Sequence, residues 1–137
     1  MNKSFGDFVE AIKKLPTIPM TKEEIEIRDK WSKFRDIYDE EYKFNLTSKA
    51  IGCEIGVFVK WIEHQFDKNM NWDNYGKEWK IFHILPKYFY KSQFHNFHNI
   101  AVVSVDEEDT TTLKLKFDLF YAHAAEAEKF WLKHTHP

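Results

Sequence analysis

The sequence predicts an α+β fold in one domain. Apolar residues recur at helical spacing in four separate stretches, and two short runs read as strands. The 13 Phe, 6 Tyr and 5 Trp among 137 residues are enough aromatic surface to build a substantial core.

The first stretch, residues 4–15, places Phe5, Phe8, Val9 and Ile12 on one helical face behind Ser4 as N-cap, and stops before Pro16. The segment TIPM, bracketed by Pro16 and Pro19, reads as an extended connector. Thr21 followed by Glu24 is a capping-box pattern that opens a longer helix. In that helix Ile27, Trp31, Phe34 and Tyr38 share a face, while Lys30, Lys33, Asp36, Glu40 and Glu41 populate the solvated one. A third helix spans about residues 55–66, where Phe58, Trp61, Ile62 and Phe66 lie on one side. The polar run KNMNWDNYGKE ends the helical pattern.

Residues 80–85, KIFHIL, read as a strand that Pro86 terminates. Residues 100–105 form the second strand. Leu113, Leu115 and Phe117 alternate with lysines, so residues 110–117 suit a further strand, paired in a hairpin across the acidic tetrad 106–109. Ser104 and Glu107 form a competing capping-box signal there. The last stretch, about residues 118–134, is helical, with Phe120, Tyr121, Ala124, Ala127 and Trp131 as its packing stripe. No internal repeat is visible.

Composition narrows the function classes. With 20 basic and 22 acidic side chains, the formal net charge of −2 gives no global attraction to a polyanion, so any nucleic-acid contact is local. The single Cys53 excludes an intramolecular disulfide or a multi-cysteine zinc site; it reads as a small buried hydrophobe in a reducing compartment. No apolar run is long enough to span a bilayer, and the start MNKSFGDF lacks the apolar stretch of a secretion signal. The expectation is an intracellular protein without membrane contact. The triplet Asn45-Leu46-Thr47 matches a glycosylation acceptor by chance.

The run KAIGCEIGVFVKWIEHQFDKNMNWDNYGKEWKIFHILP carries the functional signal. Gly52-Cys53, Phe58, Ile62-Glu63, Gln65-Phe66, Met70, Trp72, Asn74-Tyr75-Gly76, Trp79, Ile81, His83, Ile84 and Pro86 match, in order, the central segment of the HNH endonucleases of phages and large DNA viruses. The chain resembles that family over roughly a third of its length, continuing weakly to Asn99. The resemblance implies an HNH-like ββα core at residues 48–117; it does not account for the N-terminal helical extension at 1–47, with two helices, or the long C-terminal helix at 118–137, which the periodicity gives, all packed as one domain. It also implies a viral or phage source, in keeping with the Lys, Asn and Phe bias that AT-rich DNA encodes. The expected location is then the host cytoplasm or nucleus, or the virion.

In such a site a strand-end histidine deprotonates the attacking water, and nearby side chains hold one divalent cation against the scissile phosphate. The resemblance assigns the general-base position to His83. It places Phe82 where the family has an acidic metal ligand and Lys80 where it has an earlier histidine; neither can hold a cation. Asn99 corresponds to the middle asparagine, and the final ligand falls near Glu108. The expected reading is a catalytically degenerate protein, with no cofactor, serving as a DNA-binding or structural and interaction module. The enzyme alternative uses His83 as base and His95, His98, Asn99 and Glu108 for magnesium, manganese or zinc. A third reading is a protein-binding virion component or host-factor inhibitor, and a homo-oligomer stays open.

Each residue has a plainer role beside the functional one. His83, between Phe82 and Ile84, also suits a hydrogen-bonded structural histidine, and the 95–99 cluster also suits turns. His123, His134 and His136 need no special role. Lys77, Lys80, Lys87 and Lys91, beside Tyr75, Trp79, Tyr88 and Tyr90, suit phosphate contacts and base stacking, or simply the solubilising of an aromatic surface. Trp72, Asn74, Tyr75, Gly76 and Trp79 read as scaffold: a turn flanked by tryptophans that fixes the strand bearing His83.

Overall fold

A computed structural model describes residues 4–14, 19–110 and 112–136. In chain order the helices are α1 (Phe5–Lys13), α2 (Lys22–Tyr42), α3 (Ser48–Ile51), α4 (Ile55–His64) and α5 (Leu113–Thr135); strands β1 (Trp79–His83) and β2 (Ile100–Ser104) lie between α4 and α5. The fold is α+β. Residues 15–18, which hold the expected end of the first helix and most of the TIPM connector, lie outside the described residues.

The expected capping box at Thr21 and Glu24 forms, and the expected N-cap Ser4 makes one with Asp7. In α1 the Asp7 amide donates to Ser4 Oγ and the Ser4 amide to Asp7; in α2 the same exchange links Glu24 and Thr21. Each box satisfies two backbone donors that a helix start leaves without a partner. Helix α2 buries the stripe Trp31, Phe34 and Tyr38, with Ile27 half-buried at its head. Phe34 is the hub: its ring lies 5.3 Å from Tyr75, 5.4 Å from Phe58 and 6.4 Å from both Trp72 and Trp79. Helix α4 buries Val57, Phe58, Val59, Trp61 and Ile62, a band too wide for one contact, because α2 and α5 both pack on it. Two ion pairs, Lys30–Glu63 at 2.7 Å and Lys60–Glu23 at 3.0 Å, flank the α2–α4 seam.

Strands β1 and β2 are antiparallel, pairing Trp79 with Ser104 through to His83 with Ile100. The segment before β1 is tied down by Asn74. Its side chain accepts from the Asn71 amide and donates to the Asn69 carbonyl, both at 2.8 Å, and the Trp79 indole donates to the Asn71 carbonyl at 2.7 Å. Gly76 sits at φ +87°, a conformation other residues rarely adopt, and its amide donates to the Trp79 carbonyl at 2.8 Å.

Three expectations need correction. Residues 113–117 are helical, not a strand, so the expected division at residue 118 cuts into α5. Thr112 is extended and its side chain accepts from the Leu115 amide, capping α5. The alternation of leucine and lysine finds no sheet edge: β2 pairs with β1 on one side, Gln65 and His123 take its Val102 amide and Ile100 carbonyl on the other, and Leu113 and Leu115 stay exposed. The Ser104 side chain accepts from the Asp106 amide in a turn and opens no helix. The first strand ends at His83 rather than residue 85, because the Ile84 and Leu85 amides turn away to the backbone carbonyl and side chain of Asn99. The one-turn helix α3, capped by Thr47, was not anticipated.

Candidate functional site

His83 closes β1 on the inner face that also carries Trp79 and Ile81, so it points towards α2. Its Nε2 lies 2.8 Å from the hydroxyl of the fully buried Tyr38. The same hydroxyl bonds His95 Nδ1. One phenol therefore joins two imidazoles that lie 45 and 57 positions away in sequence. A hydroxyl has one proton and two lone pairs, so it donates to at most one ring and accepts N–H from the other or from both, as the tautomers set.

Aromatic rings enclose the pair. His83 stacks on Phe94 at 3.9 Å and meets the edge of Tyr42 at 4.8 Å, while His95 stacks on Phe44 at 3.8 Å. Burial, aided by the nearby His95, pushes the His83 pKa down to about 3. His95 is also lowered, by burial and then by the Lys87 charge, against an opposing pull from Asp39. Burial raises both phenols, Tyr42 to about 12 and Tyr38 further. The cluster is a neutral, hydrogen-bonded set of rings.

The other candidate ligands are spread out. Asn99 is fully buried and its amide is fully engaged: Oδ1 accepts from the Leu85 amide at 2.7 Å, and Nδ2 donates to the Leu85 and Phe94 carbonyls, each at 3.1 Å. It pins the loop between the strands. His98 pairs with Glu128 of α5. Glu108 lies against the outer sheet face, where Lys80, Phe82, Val103, Glu107, Glu108 and Asp109 line a cavity of about 150 Å³. Phe82 and His83, the positions matched to the ligand and the base, thus face opposite sides of β1. Among the described residues no group of three or more His, Cys, Asp or Glu is placed to hold a metal ion. The proposed cation ligands do not converge, and these donors do not fit a divalent ion.

The four candidate DNA-contacting lysines also divide. The Lys80 ammonium donates to the Glu107 carbonyl at 2.8 Å, beside three acidic side chains. Lys77 is exposed in the turn before β1. Lys87 and Lys91, both exposed, flank Tyr88 and Phe89 beyond the other end of the strand. There Phe89 meets Phe117 of α5 at 5.7 Å and Tyr90 meets Phe120 at 5.1 Å. Of the remaining histidines, His123 Nε2 donates to the Ile100 carbonyl and His134 Nδ1 to the Phe130 carbonyl, both at 2.8 Å.

Sequence reasoning missed Tyr38, Phe44 and Phe94 as partners of the histidines. The available signal was Tyr38 itself: a tyrosine in the buried stripe of α2 needs a partner for its hydroxyl.

The chain is similar to two proteins of Acanthamoeba polyphaga mimivirus, each described only as uncharacterized. One is 33% identical over 97 residues, covering 66% of this chain and 42% of the relative. The other is 45% identical over 38 residues, covering 28% of this chain and 17% of the relative. The chain therefore spans less than half the length of these relatives, which are giant-virus proteins. No family model matches, and no solved structure matches. No helix among the described residues is long and apolar enough to cross a membrane.

Proposed function

We propose that this chain is an HNH-derived module of giant-virus type that binds DNA without cutting it. The observation that carries the loss of cutting is the engagement of His83. Its Nε2 is held by Tyr38 inside a shell of rings, and burial makes it a base with a pKa of about 3. A general base works best with a pKa near the working pH, and it must reach the water it activates. Phe82 on the opposite face supplies no oxygen to a cation; His95, His98 and Asn99 are engaged by Tyr38, Glu128 and the Leu85 amide, and Glu108 lies on the outer sheet face away from them.

The motif from Gly52 to Pro86, together with the order of two antiparallel strands followed by a helix, supports the HNH derivation. The exposed lysines and aromatics of residues 87–91 support the DNA contact. Lys77 belongs to this reading as a separate phosphate contact, and Lys80 as a lesser one, since the Glu107 carbonyl already engages it.

A second reading has its own observation. Helix α1 exposes Phe5, Phe8 and Ile12 at 84%, 55% and 65%, an apolar stripe suited to a protein partner in a virion or an infected cell.

The test is a cleavage assay on supercoiled plasmid with magnesium, manganese or zinc, beside a gel shift on the same DNA at two salt concentrations. Salt-sensitive binding without cleavage is the expected result. Metal-dependent nicking lost in His83→Ala would overturn the proposal and establish the endonuclease alternative. Absence of both signals would favour the protein-binding reading.

A further inference from the structure

We infer that the DNA this module holds is single-stranded, taken by the loop after β1; the inference rests on the DNA-binding reading and names its substrate. Tyr88 is 78% exposed and Phe89 47% exposed, between the exposed Lys87 and Lys91. The loop is braced: the Phe89 and Tyr90 amides donate to the Pro86 carbonyl at 3.0 and 3.2 Å. Phe89 and Tyr90 rest on Phe117 and Phe120 of α5, and the Tyr90 hydroxyl donates to Gln93 at 3.1 Å. This bracing leaves the Tyr88 ring outside the core, against Phe89 at 4.6 Å.

An exposed ring held by a braced loop offers a flat face to a ligand at little ordering cost. Base faces inside a duplex are covered by their neighbours, so only an unpaired base can stack on it. The lysines on either side attract the strand's phosphates. Charge complementarity and the aromatic face together select a single strand; a duplex would use the lysines alone.

The experiment measures fluorescence anisotropy of a labelled DNA single strand of about 20 nucleotides, and of its duplex, with the full chain and its variants. Expected are single-strand binding about tenfold tighter than duplex binding, a loss of about tenfold for the single strand alone in Tyr88→Ala, and recovery in Tyr88→Phe, which keeps the ring. The double variant Lys87→Gln, Lys91→Gln should weaken both forms. Tyr88 is exposed, so its replacement leaves the fold intact, which thermal melting of each variant verifies. Equal affinity for both DNA forms, or an unaffected Tyr88→Ala, would overturn the inference and leave the DNA-binding reading standing. No binding of either form would overturn that reading and the inference with it.

Discussion

The Tyr38 hydroxyl lies 2.8 Å from His83 Nε2, and this bond ties the C-terminal end of α2 to the end of β1 across 45 positions of sequence. The same oxygen holds His95, so a single phenol sets the orientation of both rings. A histidine at a strand end is chemically useful when one ring nitrogen faces solvent or substrate. Here Nε2 is engaged by a core side chain.

Tyr38→Phe should therefore cost about 1 to 3 kcal/mol of stability, because it leaves partly buried imidazole nitrogens without their partner while keeping the ring. Denaturant unfolding measures it. A loss below a few tenths of a kcal/mol would mean that water replaces the hydroxyl at no cost.

The pH dependence follows from the same cluster. Burial depresses both His83, to about 3, and His95, so the folded chain keeps them neutral while the unfolded chain protonates its histidines near 6.5. Below about 6.5 the unfolded state binds more protons, so this contribution is complete above that pH and is lost as pH falls towards 3. The melting temperature should decline from pH 6.5 downwards, above the range in which ordinary carboxylates titrate. His83→Gln should flatten that decline. An unchanged slope in the variant would show that other groups carry it.

Much of this fold was legible because it is local. Thr21 with Glu24, and the spacing of Trp31, Phe34 and Tyr38, announce a capped amphipathic helix within 18 residues. The Asn74–Trp79 segment likewise contains its own turn signals. The site was less legible. Asn99 looks like a metal ligand by its place in a motif, yet its amide satisfies three backbone groups of the loop, a role visible only once residues 85, 94 and 99 are brought together. The misplaced strand at 113–117 has the same origin. Alternation marks a strand only if a sheet edge is there to receive it; β2 pairs with β1 on one edge, and on the other the Val102 amide and the Ile100 carbonyl are taken by Gln65 and His123.

Phe34 touches more aromatic rings than any one helix–helix contact would supply, joining α2 to α4 and to the segment leading into β1. Phe34→Ala should destabilise by about 3 to 5 kcal/mol, as large cavities in aromatic cores do. Phe34→Leu should recover part of that loss. A cost under about 1 kcal/mol for the alanine variant would show that the surrounding rings collapse into the space.

Gly52 ends α3 at φ +77°, and a Cβ there would lie 2.2 Å from Asn96 Nδ2. Gly52→Ala therefore combines left-handed strain of about 1 to 2 kcal/mol with displacement of Asn96. The Asn96 side chain accepts from the His98 amide at 2.9 Å, in the loop that also carries His95. The effect should reach beyond α3: unfolding free energy should fall by more than the strain alone, and the imidazole resonances of His95 and His98 should shift in NMR spectra. A loss confined to about 1 kcal/mol with both resonances unmoved would mean that Asn96 swings clear and that the turn and the histidine loop are independent.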